Sequence, residues 1–248
     1  MQLVADALAQ GHGRSHAVFT ELAVRGLQVG KQKLQGIRSA ARAVSDDMLV
    51  LGVIEVDGHD ETAGLYHLVG LGLARDPDIS WEEGLSMQQA ADRLRDAGGL
   101  VMLAHPYWSG QMSKDLLGLE GCFSLEVYNG GCDVDDAKGY SAVHWDDLLA
   151  AGREMWGTAV DDAHWRNGSK DAGLGWVWVK ASTLAEESVL QALEKGLFYA
   201  TCGPEIYDLR LPALTAGSPG DVERGQVSVR CSPVTFVDFP ATTTTAAG

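Results

Sequence analysis

Residues 156–165 carry the densest chemistry in this chain, because an apolar run ends there in Asp161, Asp162 and His164. In an extended strand, residues two apart point to the same side. If the extended backbone continues past the apolar run, Asp162 and His164 face one point. A carboxylate oxygen beside an imidazole nitrogen suits zinc, manganese or iron. Three more apolar stretches carry groups of the same kind. Residues 48–56 hold Glu55 near their end, and after a short polar loop residues 66–73 hold His67. Residues 99–106 run into His105 and Pro106. Glu55, His67, His105, Asp162 and His164 are distant in sequence, but function in α/β folds gathers at strand ends. Two or three divalent ions need about this many ligands, with a carboxylate such as Glu55 free to bridge.

The elements that must position these groups read as alternating strand and helix. The ligand-bearing runs are apolar on both faces, as expected for parallel strands covered by helices. The spacing predicts a helix over 87–97, carried by Ala90, Ala91, Leu94 and Ala97 and ended by Gly98 and Gly99. A short helix over 113–117, a strand over 123–128 and a helix over 141–151 follow. Residues 175–180 read as another strand. A helix over 184–195 has Ser182 or Thr183 as its cap and Glu186 and Glu187 near its positive end. Residues 198–201 close the series. Such alternation implies an α/β fold built on a parallel sheet or barrel. After Pro204 the character changes, and residues 206–211 and 226–231 alternate like strands of a small sheet.

Together these pieces resemble the polymerase-and-histidinol-phosphatase (PHP) family of metal-dependent phosphoesterases. The resemblance covers residues 46–211. It is carried by Gly52 to Glu55, the His67 strand, Ala104-His105-Pro106, the 125–129 strand end, Asp161-Asp162-Ala163-His164 and the stretch 196–204. It implies a distorted (β/α)7-type barrel with Glu55, His67, His105, Asp162 and His164 as ligands of up to three divalent ions, zinc, manganese or iron. The implied reaction is hydrolysis of a phosphomonoester or nucleotide-type phosphate by metal-activated water. His105 or His164 would orient the water or protonate the leaving group. Asp161 would orient a ligand histidine. Asn129 and Arg166 would meet substrate, Arg166 through its bidentate fork and Lys170 beside it. Trp108 and Trp165 would flank the pocket. His59, Asp57 and Asp60 read as solvated groups between two paired strands, and His144, Asp146 and Asp147 as a helix start.

One departure bears on activity. Such a domain opens with a His-x-His strand and a second strand ending in Asp-His, and residues 1–45 contain neither. His12 and His16 are four apart, with Gly11 and Gly13 opposing a helix between them. Residues 14–42 carry Arg14, Arg25, Lys31, Lys33, Arg38 and Arg42 against a single acidic residue, Glu21. This composition suggests that 1–45 is not native sequence of that family. The expected organisation is an atypical segment 1–45, a PHP-like α/β barrel over 46–211 open at its start, and a partial β extension with a disordered tail over 212–248. At most a partial cluster, with fewer ions than in an intact family member, and weak or no hydrolysis are expected. Two other readings stay open: a non-catalytic binding remnant of the barrel, and an amidohydrolase-like metal hydrolase.

Composition limits the rest. With 248 residues and 46% hydrophobic content, the chain can bury a sizeable core. Its net charge of −15 argues against general nucleic-acid binding but allows a small phosphorylated substrate held by cations. No run is long enough for a membrane span. The first ten residues lack the features of a secretory signal, so the cytoplasm is the expected compartment. Cys122, Cys132, Cys202 and Cys231 have no paired metal spacing and read as free, mostly buried thiols, with Cys202 near the pocket end of a strand.

Overall fold

The structure is a computed structural model that describes residues 49, 51–79, 84–164, 170–210 and 227–238, and the backbone of 16–18. Arg166, Trp165, His12 and most of segment 1–45 lie outside the described residues. The chain divides into two compact units, Met1–Cys202 and Gly203–Gly248.

In the first unit, β1 is His16–Val18, β2 Val53–Asp60 and β3 Gly64–Leu71. Helix α1 (Met87–Asp96) precedes β4 (Leu100–Leu103), and a single-turn α2 (Ser113–Leu116) precedes β5 (Cys122–Asn129). Two helices follow, α3 (Gly130–Asp136) and α4 (Ala142–Ala150), then β6 (Trp156–Val160) and β7 (Trp176–Val179). Helix α5 (Glu186–Glu194) leads to β8 (Phe198–Thr201). The second unit holds β9 (Ile206–Arg210) paired antiparallel with β10 (Ser228–Cys231).

Five strands form one mixed sheet in the order β2-β3-β4-β5-β6, and β1, β7 and β8 form a second. Only the β4–β5 and β5–β6 pairings are parallel. The fully parallel arrangement expected from sequence is corrected at β2–β3 and β3–β4, which are antiparallel. Three residues, 61–63, join β2 to β3, and a crossover to a parallel strand needs a dozen or more. Among the described residues the strands form separate sheets and no closed barrel.

The five-stranded sheet buries both faces. On one, Ile54, Val56, Leu68, Val101, Leu103 and Leu125 pack on Ala90, Ala91 and Leu94 of α1 and Leu148 of α4. On the other, Val69, Leu71, Met102 and Val160 meet Val177 and Val179 of β7 and Val189, Ala192 and Leu193 of α5. Glu55 pairs in register with Val69, and Asp57 with His67, so both Glu55 and His67 project from this second face.

Side-chain caps open α1 and α3. Helix α1 opens with a capping box: Ser86 Oγ accepts the Gln89 N–H at 3.2 Å and Gln89 Oε1 accepts the Ser86 N–H at 2.9 Å. Asp60 is not a solvated loop residue but the buried last residue of β2. Its carboxylate accepts the N–H groups of Thr62 (2.8 Å), Ala63 (3.1 Å) and Met87 (2.9 Å), tying the β2–β3 turn to the start of α1. Burial acts to raise this carboxyl, but those hydrogen bonds outweigh it and hold it down at about 2. The expected cap at Ser182 or Thr183 is corrected. The N-cap of α5 is Ala185, and Ser188 Oγ instead accepts the N–H groups of Ser182 and Thr183. No described helix is long and apolar enough to cross a membrane.

Candidate metal centre

Glu55, His67 and His105 meet on the second sheet face. Glu55 Oε1 lies 2.8 Å from His67 Nδ1 and 3.7 Å from His105 Nε2. The two imidazoles are edge to face at 4.8 Å between centroids, and the Trp108 ring lies 5.0 Å from His105 and 5.6 Å from His67. Trp108 is held by its indole N–H, which donates to Asp136 Oδ2 at 2.7 Å. The indole thus packs beside both histidines.

His105 is buried and has a positive φ of 24°, outside the strand that precedes it. Such a conformation persists only where surroundings impose it. Here the His105 N–H donates to Glu126 Oε2 at 2.9 Å, and Nδ1 sits 3.3 Å from Ser109 Oγ. Nε2 is therefore the nitrogen turned to Glu55.

Asp162 and His164 are brought to the same region, though not by an extended strand. Strand β6 ends at Val160 and Asp162 adopts φ 49°. The chain turns, and His164 Nδ1 comes within 2.8 Å of the Asp162 carbonyl oxygen. A carbonyl only accepts, so Nδ1 carries the proton and Nε2 keeps a lone pair for an electrophile. The His164 N–H donates to Asp171 Oδ2 at 2.7 Å. Asp161, expected to orient a ligand histidine, instead accepts the backbone N–H groups of Gly173 (2.7 Å), Leu174 (2.7 Å) and Gly175 (2.9 Å). It fastens the return of the chain into β7, and Asp171 is the carboxylate that contacts His164.

Asn129 is fully buried with its amide committed to the protein. Nδ2 donates to Glu126 Oε2 at 2.8 Å and to Asp162 Oδ2 at 3.2 Å, while Oδ1 accepts the Cys132 N–H at 2.8 Å and caps α3. This is the geometry of a strut between β5, α3 and the Asp162 loop rather than of a group facing solvent. The approach is close: a Cβ on Gly131 would lie 2.6 Å from the Asp162 carbonyl oxygen.

Burial and mutual charge shift several of these groups from their ordinary values. Burial acts to raise the Glu55 carboxyl, but the hydrogen bonds and charges of His105 and His67 prevail and hold it at about 2. Burial acts to lower the His105 imidazole, yet the Glu55 hydrogen bond and the charges of Glu126, Glu55 and Asp162 hold it above its ordinary value. Burial, then the Glu55 charge, push the Asp162 carboxyl up. Glu126, fully enclosed, is pushed up to about 7, mainly by burial.

Ligand atoms of Glu55, His67 and His105 all lie within 4.8 Å of one another, and so do those of His105, Cys132 and Asp162. Ligands of a four-coordinate zinc are about 3.3–3.8 Å apart, from bonds of about 2.0–2.3 Å. The Glu55–His105 separation already falls in that range, while Glu55 and His67 are joined by a direct hydrogen bond. The donor set of nitrogen and carboxylate oxygen fits a borderline divalent ion.

Sequence reasoning passed over Glu126, Cys132 and Asp171 as site groups. A carboxylate inside the apolar β5 run was a usable signal for Glu126. Cys132 carried no local signal, since α3 begins with two glycines that oppose a helix, and Asp171 lies in irregular chain between β6 and β7.

No protein-family model matches the chain, and no curated protein matches it. Among solved structures it is similar to a two-domain protein from Bacteroides vulgatus ATCC 8482 described as containing a predicted PHP-like metal-dependent phosphoesterase. That match has 12% sequence identity and a TM-score of 0.49, and covers 84% of this chain and 71% of the other. At that level, the functional reading rests on the geometry of the site itself.

Proposed function

We propose that this chain is a metal-dependent phosphoesterase of PHP type, acting on a small phosphorylated substrate. The observation that carries the reading is the convergence of Glu55, His67 and His105, from three separate strand regions, onto one point beside Asp162 and His164. Beside them the Asp162 and Glu126 carboxyls are pushed up by burial and neighbouring negative charge, which a bound cation would relieve.

In this reading Glu55, His67, His105, Asp162 and His164 hold divalent ions: zinc, manganese or iron. A bound ion supplies charge neutralisation for phosphoryl oxygens and a nucleophile at neutral pH. Glu55, held ionised, offers a carboxylate able to bridge. His105 is fixed by the Glu126 contact to its backbone, so Nε2 stays aimed at the cluster. His164 presents Nε2 because Nδ1 is tied to the Asp162 carbonyl. His105 and His164 are also the groups able to move a proton at the leaving oxygen, in competition with ligand duty. Trp108 shields the histidines on one side. Arg166, beyond the metal loop, is proposed to meet the phosphate. The barrel of this family is the proposed frame, with β7 closing over the second sheet face.

The test is elemental analysis of the purified chain by plasma mass spectrometry, with Asp162→Ala as control. Two or more equivalents of zinc, manganese or iron, lost in the control, are expected, followed by weak hydrolysis of phosphomonoesters. Less than a tenth of an equivalent from metal-supplemented growth overturns the reading. Metal without hydrolysis on any phosphoester favours the binding-remnant alternative.

A further inference from the structure

Cys132 is buried, but it packs in neither of the two hydrophobic clusters of the sheet. Cys122, also buried, packs among the aliphatic side chains on the α1 side of the sheet. A structural cysteine behaves as a small hydrophobe among hydrophobes. Cys132 instead has its sulfur within 4.8 Å of ligand atoms of both His105 and Asp162, which are themselves within that distance of each other.

The position is built from several directions. The Cys132 N–H is held by Asn129 Oδ1, and the Nδ2 of the same amide holds Asp162 Oδ2. The neighbouring Gly131 N–H donates to the Asp161 carbonyl at 2.7 Å. The backbones that carry Cys132 and Asp162 are thus pinned to each other. His105, the third member, is fixed by Glu126, which shares the Asn129 amide. One buried asparagine therefore sets the mutual placement of an imidazole, a carboxylate and a thiol. Side-chain shifts of about 1 Å would bring the three donor atoms to tetrahedral ligand spacing.

We propose that Cys132 is a thiolate ligand of the metal centre, acting with His105 and Asp162. It biases this corner of the site toward a thiophilic divalent ion, zinc above manganese or magnesium. The proposal rests on the metal-centre reading above and adds a sulfur donor to it. Ligation releases the thiol proton to solvent as the metal–sulfur bond forms. Sulfur ligands favour zinc, while all-oxygen and oxygen–nitrogen sets leave room for harder ions.

Cobalt(II) added to the metal-free full-length chain separates the possibilities by spectrum rather than by activity. The expected result is a near-ultraviolet sulfur-to-cobalt charge-transfer band alongside visible ligand-field bands. Cys132→Ser should abolish the first, keep the second, and weaken zinc relative to manganese binding on the order of tenfold or more. Cys122→Ala should retain the charge-transfer band. Circular dichroism verifies folding, and Cys132→Asp, which keeps a donor but no sulfur, serves if the serine variant does not fold. Visible bands without the charge-transfer band in the unaltered chain, or a band that survives both Cys132 variants, overturn the proposal and leave the metal centre standing. Failure of the unaltered chain to bind cobalt overturns both.

Discussion

Asn129 is the single side chain on which most of the centre's geometry depends. Its amide contacts Glu126, Asp162 and the Cys132 backbone, all inside the protein. Asn129→Ala leaves a buried carboxylate and a buried N–H without their partner. A loss of about 1–3 kcal/mol in urea unfolding is expected, together with metal affinity lowered roughly tenfold to a hundredfold. An Asn129→Ala protein that unfolds like the parent and binds metal equally well contradicts the strut role. His67 and Glu55 offer a different kind of residue-level test. Glu55→Gln keeps the shape but removes the ionised partner whose hydrogen bond and charge, with those of Glu126 and Asp162, hold His105 high, and metal content measured by plasma mass spectrometry should fall to less than half.

At the scale of elements, two junctions are exposed to test. The first is the close approach of α3 to the Asp162 loop. Gly131→Ala inserts a methyl group against the Asp162 carbonyl, which must then move. A cost of about 1–3 kcal/mol is expected, with metal content reduced while far-ultraviolet dichroism is kept. The second is Asp60, which joins β2, the turn after it and α1. Its folded carboxyl lies at about 2, below the ordinary 3.8, so the unfolded chain binds its proton first as pH falls. The stabilisation is complete above about pH 4 and is lost as pH drops toward 2. Asp60→Ala should cost about 2 kcal/mol at pH 7 through its backbone hydrogen bonds. The difference from the parent should shrink in unfolding curves taken between pH 4 and 2. A difference that stays constant over that window rules out the ionised carboxylate as the source.

For the whole molecule, a metal that binds only the folded chain must raise its stability by mass action. At a hundredfold excess over the dissociation constant the gain is about 2.7 kcal/mol per site, which for a chain of this size is about 5–10 °C in Tm. Calorimetry with zinc and with chelator should differ by that amount, and the difference should vanish in Asp162→Ala. An unchanged midpoint argues against a site formed by folding. The net charge of −15 sets a second whole-molecule expectation: no measurable affinity for duplex DNA at physiological salt.

Much of this protein was legible before any coordinates. The helix over Met87–Asp96 follows from apolar residues at helical spacing and a closing diglycine, both local signals. The second apolar stretch runs through β3, and the third and fourth end at β4 and β6 just short of His105 and Asp162. The types of residue there were enough to name metal chemistry. Strand direction was not legible, because burial on both faces makes an antiparallel strand read like a parallel one. A three-residue turn decided it. The roles of Asp161 and Asp171 were equally hidden, since both are carboxylates near His164 and only the path of the chain after it determines which one reaches back. Cys132 had no sequence mark at all. Sequence by itself determined the local periods and the supply of donor atoms, because these depend on residues a few positions apart. Tertiary structure alone decided which donors meet, because that depends on turns such as those at His105 and Asp162, where positive φ values imposed by distant hydrogen bonds bring the chain back on itself.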